Sequence, residues 1–356
     1  MTARPTLADV AARAGVSAST ASLAFSGSGP VSDATKERVL AAAAELGYAG
    51  PDPRARSLRR GRSGIVGVVL EERVRSAFLD PVKIRTLDGI ADGIAPLGAA
   101  LLLLPFIGGE SEGATIEDAP VDAVVLIGCS PRVGHSLEIL RRRGIPTVAI
   151  EGGPTGDDVP DISIDNRDAT RRGAEHLAEL GHRDVGVVTL AFDAERTSGP
   201  VDAALEARAT TQVTIERLQG ARDVFPEAPA VAAATSSVED GRLAARLLLA
   251  DASGRVLPAE RRPTAIIAQS DLLAAGVILA AEELGLTVPG ELSVVGFDGI
   301  RVDGLRHDLT TLDQPSTDKG RAAGEAVVRL LAGEPAASLA FTSTLHIGDT
   351  TAPPAR

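Results

Sequence analysis

The stretch TLADVAARAGVSASTASLAFS, at residues 6–26, decides the fold of the first part of the chain. Apolar residues recur there at the i, i+3, i+4 and i+7 spacing of one helical face: Leu7, Val10, Ala11 and Ala14. Thr6 stands where an N-cap hydroxyl begins a helix, Gly15 where a positive φ ends one, and Ser17 where a second helix begins. The pattern predicts two short helices joined by a tight turn. A helix-turn-helix has this form, and an ordinary αα-hairpin is the alternative.

The second predicted helix has the small cross-section that allows a helix to enter the major groove of DNA. We expect Ala21, Ala24 and Phe25 to face inward. The outer side then carries five residues that are free to meet another surface: Ala18, Ser19, Thr20, Ser22 and Leu23.

A third helix is predicted at residues 33–46, because Ser32 can cap it and Gly47 can end it. It closes a three-helix domain at residues 1–50, which is too small to bury a large core. Tyr48, the one tyrosine of the chain, can pack its ring while its hydroxyl stays available to a phosphate.

Charge is distributed unevenly along the chain, whose formal net charge is −12. Residues 1–62 hold nine Lys/Arg and five Asp/Glu, a net charge of +4, so the remaining residues carry −16. Five of the nine cations lie at residues 54–62. A basic segment on an acidic body indicates local phosphate binding by the first part of the chain, with a body that avoids DNA.

A short helix is predicted at residues 54–60, after the stiff connector AGPDP at residues 49–53. The alternative is a solvated basic linker.

Four phrases of this region together resemble the lactose-repressor (LacI/GalR) family of transcription regulators. They are TLADVAARAGVSASTAS at residues 6–22, Val31-Ser32, Leu46-Gly47-Tyr48 and Ala55-Arg56-Ser57-Leu58. The resemblance implies that the short helix is a hinge helix, which folds when two subunits meet on DNA. Its leucine, Leu58 here, would be wedged into the minor groove at the centre of a palindrome, where contacts to the bent duplex offset the free energy of unstacking.

The residues expected to contact DNA combine the outer helix face, capping hydroxyls and the hinge: Thr6, Ser17, Ala18, Ser19, Thr20, Ser22, Leu23, Ser32, Tyr48, Ala55, Arg56, Leu58 and Arg59. Leu23 stands where the family often has an arginine, so its expected base contact is apolar, for instance with a thymine methyl group. The chain also has one residue more than the family pattern between Tyr48 and the hinge phrase.

From Gly64 onward, apolar strands alternate with helices. Runs of Val, Ile and Leu, such as IVGVVL at residues 65–70 and VDAVVLI at residues 121–127, are typical of parallel strands covered on both faces. A second series of similar size follows residue 180. The predicted fold is therefore a small all-α helix-turn-helix domain plus an α/β body of two doubly wound parallel-sheet subdomains.

The body continues the resemblance through Asp165-Asn166, Ser270-Asp271, SVVGFD at residues 293–298 and Gln314-Pro315. It implies a periplasmic-binding-protein-like body whose lobes are joined by three crossovers, with a ligand cleft at the carboxyl ends of the strands. We expect the crossovers near residues 165, 297 and 335. The predicted divisions are 1–50 for DNA binding, 51–63 for the hinge, and 64–356 for effector binding and dimerisation, with subdomains at 64–164 plus 298–334 and at 165–297 plus 335–350.

By the same resemblance, Asp271 and Arg217 would hold the ligand. A carboxylate accepts hydrogen bonds from hydroxyls or an amine, and a guanidinium fork holds a carboxylate or a pair of hydroxyls. Weaker candidates end strands or begin loops that face the same cleft: Phe78, Asp80, Glu151, Asp165 and Phe192. An N-cap role is the alternative for Asp165. Residues 191–211 are expected to form a loop at the mouth of the cleft.

Aromatic residues are scarce in the body, which has no Trp, no Tyr and six Phe. Ligand pockets are commonly lined by aromatic side chains, and sugar rings often stack on them. The composition therefore weakens the case for a hexose. It leaves open a small polar metabolite held by hydrogen bonds, or a degenerate pocket that binds nothing.

No apolar run reaches the roughly 18 residues needed to span a bilayer, and the first residues lack an apolar signal-peptide core. We therefore expect a cytoplasmic protein with no membrane partner. The phosphate loop GxxxxGK(S/T), the nucleophile elbow GxSxG and the zinc motif HExxH are missing, and the single cysteine provides no metal-binding pair. Neither catalysis nor a cofactor or metal is expected.

Together these features predict a homodimeric repressor of transcription that binds a palindromic operator in double-stranded DNA. Its effector is expected to be a sugar or another small polar metabolite in the cleft. The alternatives are a DNA-binding regulator with a degenerate pocket and a small-molecule-binding protein without DNA specificity.

Overall fold

The structure is a computed structural model that describes residues 5–27, 29–50, 61–70, 74–105, 116–128, 133–153, 155–193 and 195–355. The chain divides into two compact units, Met1–Gly64 and Ile65–Arg356. The predicted hinge helix, with Ala55, Arg56, Leu58 and Arg59, lies outside the described residues.

The described part of the first unit contains three helices: α1 (Leu7–Ala14), α2 (Ala18–Ser26) and α3 (Asp33–Leu46). Each begins after a hydroxyl side chain that accepts an N–H group of the first turn, and each ends at a glycine with positive φ. The caps are Thr6, Ser17 and Ser32, and the glycines are Gly15, Gly27 and Gly47. Local sequence therefore sets both ends of each of these three helices.

The core of the first unit is small and consists mostly of alanine: Val10, Ala11, Ala21, Ala24, Val39, Ala42 and Ala43. Phe25 and Tyr48 close it with an edge-to-face contact, their ring centroids 5.6 Å apart. These small side chains allow close helix packing but bury little apolar area.

The second unit contains two lobes, each built on one sheet. The strands of the first lobe are β1 (Ile65–Leu70), β2 (Ala100–Pro105), β3 (Ala123–Ile127), β4 (Thr147–Ile150), β5 (Asp161–Ile164) and β12 (Leu339–Phe341). They run in the order β12-β5-β4-β3-β1-β2 and are all parallel. The helices of this lobe are α4 (Val74–Leu79), α5 (Pro81–Ile94), α6 (Val133–Arg143) and α12 (Ser316–Leu331), with a 3-10 turn at Ala95–Leu97.

The second lobe has strands β6 (Val185–Thr189), β7 (Gly199–Pro200), β8 (Ala230–Ala232), β9 (Ala265–Ala268), β10 (Ser293–Asp298), β11 (Thr310–Asp313) and β13 (Thr344–His346). Their order is β13-β11-β10-β9-β6-β8-β7, and only the edge strands β7 and β13 pair antiparallel. The helices are α7 (Asn166–Glu179), α8 (Ala203–Ala207), α9 (Gln212–Arg222), α10 (Val238–Leu249) and α11 (Asp271–Glu283), with a 3-10 turn at Ala259–Arg261.

Both sheets carry an apolar core on each face. The alternating strands and helices of the sequence thus correspond to parallel sheets buried on both sides, as predicted. The closest helix packing joins α5 to α12, where Gly89 and Gly93 face Gly320 and Gly324. A Cβ atom at any of these four positions would fall on the backbone of the partner helix.

Two of the three crossovers differ from the prediction. The first joins β5 to α7 at residues 164–166, as expected. The second follows β11, at residues 313–316, rather than lying near residue 297, because Thr310–Asp313 adds a parallel strand beside β10. The third lies at residues 341–344 rather than near residue 335, because Leu339–Phe341 pairs with β5 of the first lobe. The predicted subdomain divisions at 297–298 and 334–335 are corrected accordingly.

Residues 191–211 are more ordered than the predicted loop. Gly199–Pro200 pairs with β8, and Asp202 caps the short helix α8. Among the described helices, none has both the length and the apolar character required to span a membrane.

Candidate functional site

Hydroxyl groups cluster where α2 begins. The Ser17 side chain accepts the N–H of Thr20 at 3.1 Å, and its oxygen lies 2.8 Å from the hydroxyls of both Ser19 and Thr20. Ser17, Ala18 and Ser19 are exposed, whereas Thr20 and Ser22 are half-buried. The start of a helix attracts anions through its unpaired N–H groups, and these hydroxyls add donors beside it.

Leu23 lies farther along the same helix and is 36% exposed. Its methyl groups pack on Gly29, where an added Cβ atom would lie 2.9 Å from one of them. The side chain therefore both closes the turn after α2 and leaves an apolar patch next to the hydroxyl cluster. Such a patch suits a thymine methyl group better than a phosphate.

The other predicted contacts in this unit cap helices or complete its core. Thr6 exchanges hydrogen bonds with Asp9 in a capping box, and these bonds lower the pKa of the Asp9 carboxyl group. Ser32 accepts the N–H of Thr35, and the half-buried Tyr48 ring packs on Phe25. Thr6 and Ser32 are nonetheless exposed.

The body holds a second concentration of polar groups, buried where its two lobes meet. The Lys319 ammonium donates to Glu151 Oε1 at 2.8 Å and to Gln314 Oε1 at 2.6 Å. The Gln314 amide donates to Asp298 Oδ1 at 2.6 Å. Lys319 is 3% exposed, so this ammonium is held almost entirely by protein groups.

The chain of contacts then closes on itself. Asp298 Oδ1 lies 3.8 Å from Arg217 Nη1, and Arg217 Nε donates to Asn166 Oδ1 at 2.8 Å. The Asn166 amide donates to Glu151 Oε2 at 2.9 Å, which returns to the residue bound by Lys319. We call these six residues the polar ring: Glu151, Asn166, Arg217, Asp298, Gln314 and Lys319.

Chain topology explains how residues so distant in sequence converge. Glu151 follows β4, Asp298 ends β10 and Gln314 follows β11, so three members lie at the carboxyl ends of parallel strands. In open α/β sheets that edge is where ligands bind. Asn166 begins α7, and Lys319 lies in the first turn of α12.

Two carboxylates of the ring sit on strained backbone. Glu151 has φ 55° and Asp298 has φ 122°. Non-glycine residues rarely adopt such values, which persist where the surrounding contacts enforce them. Arg217 is held from another side as well, since its guanidinium lies 3.5 Å above the Phe297 ring and donates to the Gln269 carbonyl at 2.6 Å.

Burial changes the protonation of the acids in this region. It raises the pKa of Asp298 to about 7, against the opposing effect of the Arg217 charge. It also raises the pKa of Asp161, near Glu151, to about 6, and that of Asp80 above its usual range. The acids around the ring are therefore less readily ionised than surface carboxylates.

Three predicted ligand residues lie at this site. Glu151 and Arg217 are members of the polar ring. Asp80 caps α5 by accepting the N–H of Val82 at 3.0 Å, and the charges of Arg217 and Lys319 both act on it. Phe78 is on α4 and is 53% exposed.

Asp271, Phe192 and Asp165 are held by contacts outside the polar ring. Asp271 is fully buried, and its carboxylate accepts the Thr311 hydroxyl at 2.6 Å and the Ile300 N–H at 2.8 Å. It therefore fastens strand β11 and the loop after β10, and burial raises its pKa well above the usual value. Phe192 is 1% exposed and packs in the core of the second lobe.

Asp165 stands at the N-cap position of α7 but makes no capping hydrogen bond with its side chain. Its carboxylate instead accepts the Ser343 N–H at 2.8 Å and binds Arg172 at 2.7 Å. It thus fastens the first crossover to the third, and the alternative prediction that its side chain caps α7 is wrong.

Four members of the ring were not predicted as site residues. Asn166, Asp298 and Gln314 belong to phrases that carried the family resemblance. Their positions at the ends of strands or the starts of helices could therefore have identified them as site residues. Lys319 gave no such signal, because a lysine in the first turn of a helix is ordinarily exposed.

Each of the two units matches a known protein family. A family described as bacterial regulatory proteins, lacI family, matches residues 6–50, and a periplasmic binding protein-like domain matches residues 174–351. The HTH-type transcriptional regulator IpsA of Corynebacterium glutamicum is 32% identical to the chain over 354 residues, covering 98% of each protein.

Two solved structures share the architecture over 98% of this chain and 100% of their own. A complex of the transcriptional regulator CelR with cellobiose has a TM-score of 0.65 and 26% identity. A lac repressor dimer bound to operator and an anti-inducer has a TM-score of 0.77 and 23% identity, which is a likeness of fold.

Proposed function

Since the chain belongs to the LacI family of DNA-binding transcriptional regulators, we propose that it is a repressor controlled by a small polar ligand. In this proposal a homodimer binds a palindromic operator, and the ligand occupies the cleft of the body. One observation supports the proposal: the first unit has a cluster of hydroxyl groups at the start of α2, and the second unit has the polar ring.

DNA recognition is assigned to α2. Its exposed start, with Ser17 and Ser19, suits a phosphate or a base edge, and Leu23 supplies an apolar contact beside it. The basic residues at 54–62 supply attraction to the phosphate backbone. The hinge role of Leu58 completes the proposal, with the leucine entering the minor groove between two half-sites.

A homodimer follows from the need to read two half-sites. One helix-turn-helix reads only a few base pairs, and a palindrome matches the two-fold symmetry of a dimer. The lac repressor structure that shares this fold is a dimer bound to operator. Access to the chromosome would place this regulator in the cytoplasm.

The effector is assigned to the polar ring and the acids around it. Hydroxyl groups of a ligand can replace the donors and acceptors that the ring members now offer one another. The two cations of the ring, Arg217 and Lys319, already face the carboxyl groups of Asp298 and Glu151. An uncharged polyhydroxylated ligand such as a sugar therefore fits the charge balance better than a phosphorylated one, which would bury an unmatched charge. In the CelR complex the ligand is cellobiose.

Control requires that the ligand bind two arrangements of the body with different affinities.

A second candidate function is that of a regulator that binds no effector. It is favoured by one observation, namely that the ring members satisfy one another. Ligand screening by thermal shift on the full chain separates the two.

The proposal is tested by incubating the purified protein with a random duplex library at about 0.15 M salt and sequencing the retained DNA. We expect an enriched palindrome with a flexible central step. Retention of DNA without sequence enrichment, and only at low salt, would reject sequence-specific recognition by this chain.

A further inference from the structure

The polar ring spans the junction between the lobes at two of the three crossovers. Asn166 is the first residue after the first crossover, and its amide binds Glu151 of the first lobe. Gln314 lies within the second crossover. Its side-chain amide oxygen accepts a hydrogen bond from Lys319 on α12 of the first lobe. Any rotation of one lobe against the other must therefore distort the ring.

The third crossover is fastened to the same region. Asp165 accepts the N–H of Ser343 at 2.8 Å, and Arg172 donates to the Ser343 carbonyl at 2.7 Å. Because Asp165 directly precedes Asn166, the segment that enters the ring also anchors the last connection between the lobes. All three crossovers are thus tied to the ring, the third one through the peptide bond between Asp165 and Asn166.

Lys319 is the member on which most of the network depends. Its ammonium donates hydrogen bonds to Glu151 Oε1 at 2.8 Å and to Gln314 Oε1 at 2.6 Å, and so joins its two neighbours in the ring. Without that cation, the Glu151 carboxylate would stay mostly buried and would lose the ammonium with which it forms an ion pair. Removing one partner of a buried ion pair is strongly destabilising, because it leaves an uncompensated charge.

Backbone strain points to the same place. Among the described residues, three non-glycine residues have positive φ, and two of them, Glu151 and Asp298, supply the carboxylates of the ring. Backbone strain of this kind is retained when neighbouring contacts over-determine the conformation, and it clusters at switch regions. The strained carboxylates would relax if their cationic partners were withdrawn.

We propose that Lys319 is a positioning residue that latches the two lobes in one relative arrangement through the polar ring. The inference rests on the proposed function for the identity of the ring as the effector site. It adds how the site is coupled to lobe movement. A ligand that takes over hydrogen bonds from Gln314 or Glu151 opens the ring and frees the crossovers beside it.

The test uses the full-length protein without DNA or ligand and compares Lys319→Met, Glu151→Gln and the double variant E151Q/K319M. Arg321→Met is the matched control, because Arg321 lies on the same helix and pairs with Asp318 and Asp92 inside the first lobe. Two quantities are measured: the Tm and the hydrogen–deuterium exchange of peptides that cover the first two crossovers, residues 164–168 and 312–319.

We expect Lys319→Met to lower the Tm by roughly 5–10 °C, and the double variant to regain most of that loss because no buried charge is left unpaired. Exchange at residues 164–168 and 312–319 should nevertheless be about tenfold faster or more in the double variant. The central strands β3 and β9 should keep their protection, and Arg321→Met should match the wild type in both measurements.

Wild-type exchange at both crossovers in the double variant would overturn the latch, because it would reduce the ring to an ordinary buried ion pair. Faster exchange throughout the body of that variant would also overturn it, since global instability would then explain the result. Neither outcome depends on DNA. Failure of the library to yield an operator, with the latch confirmed, would reject the proposed function alone.

Discussion

The first unit and the polar ring place their polar side chains in opposite ways. In the first unit, the hydroxyls of Ser17 and Thr20 lie three residues apart, and Ser17 is exposed. In the ring, Glu151 and Lys319 are 168 residues apart; Lys319 is buried and Glu151 is mostly buried. Exposed local groups can meet DNA with little desolvation. Buried non-local groups hold one another, so they are gained or lost together when the body changes shape.

A change in packing that is confined to the body should destabilise the body and leave the first unit intact. We expect Gly320→Val to lower the free energy of unfolding of the body by more than about 3 kcal/mol, because its Cβ atom would fall on the Thr86 carbonyl oxygen. Differential scanning calorimetry measures the effect. Gly134→Ala is the control, since open space surrounds that helical glycine, and it should be neutral or slightly stabilising.

The next largest effect concerns DNA binding. We expect Leu58→Ala to weaken specific operator binding roughly 10- to 100-fold, because the alanine cannot wedge open the central base step. Binding to unrelated DNA at low salt, which depends on phosphate contacts, should be nearly unchanged. Fluorescence anisotropy with both duplexes separates the two, and an equal loss on both would reject the wedge.

Two N-cap serines, one in each region, allow a matched test. Ser17 caps α2 and Ser237 caps α10, each by accepting one N–H group at 3.1 Å. Substitution by alanine should remove about 1 kcal/mol of helix stability in either case. Ser17→Ala should in addition reduce operator affinity by about tenfold, whereas Ser237→Ala should leave it unchanged. Equal operator affinity in the two variants would remove the start of α2 from the DNA contact.

The smallest predicted effect is a dependence of stability on pH. The pKa of Asp298 is about 7 in the folded chain, where its carboxyl group faces Arg217, Lys319 and Asp80. A carboxyl group with a raised folded-state pKa stabilises the protein at low pH, and this stabilisation is lost as the pH rises through about 7.

The wild type should therefore lose about 1 kcal/mol from this group between pH 6 and pH 8. Asp298→Asn should flatten that part of the profile, since asparagine keeps an acceptor for Gln314 and tolerates positive φ. Thermal melts at the two pH values measure the difference. Parallel profiles for the two proteins would show that Asp298 does not titrate in this range.

The same difference between local and non-local contacts explains which features of the structure the sequence predicts. Features set by neighbouring residues were predicted: the caps Thr6, Ser17 and Ser32, and the buried strands with continuous apolar runs. The strand Thr310–Asp313 was missed because its threonines give no apolar run, although the strand is buried beside β10. That omission displaced the second crossover.

The ring was predicted only in part. Arg217 and Glu151 were identified, whereas Asp271 was assigned to the ligand although Thr311 and the Ile300 N–H occupy its carboxylate. Asp271 was assigned by the family resemblance, and nothing local indicated that segments distant in sequence would cover it. Lys319 could not be predicted because its burial on α12 depends on Glu151, which follows β4 and is 168 residues away in sequence.

The central claim is that the polar ring of the body controls DNA binding by a separate unit. The most direct test is the operator affinity of the double variant E151Q/K319M, measured by fluorescence anisotropy on the selected palindrome, with Arg321→Met as the control. We predict a change of about tenfold or more in the double variant, although no residue of the first unit is altered, and no change in the control. An unchanged affinity in a folded double variant would contradict the claim.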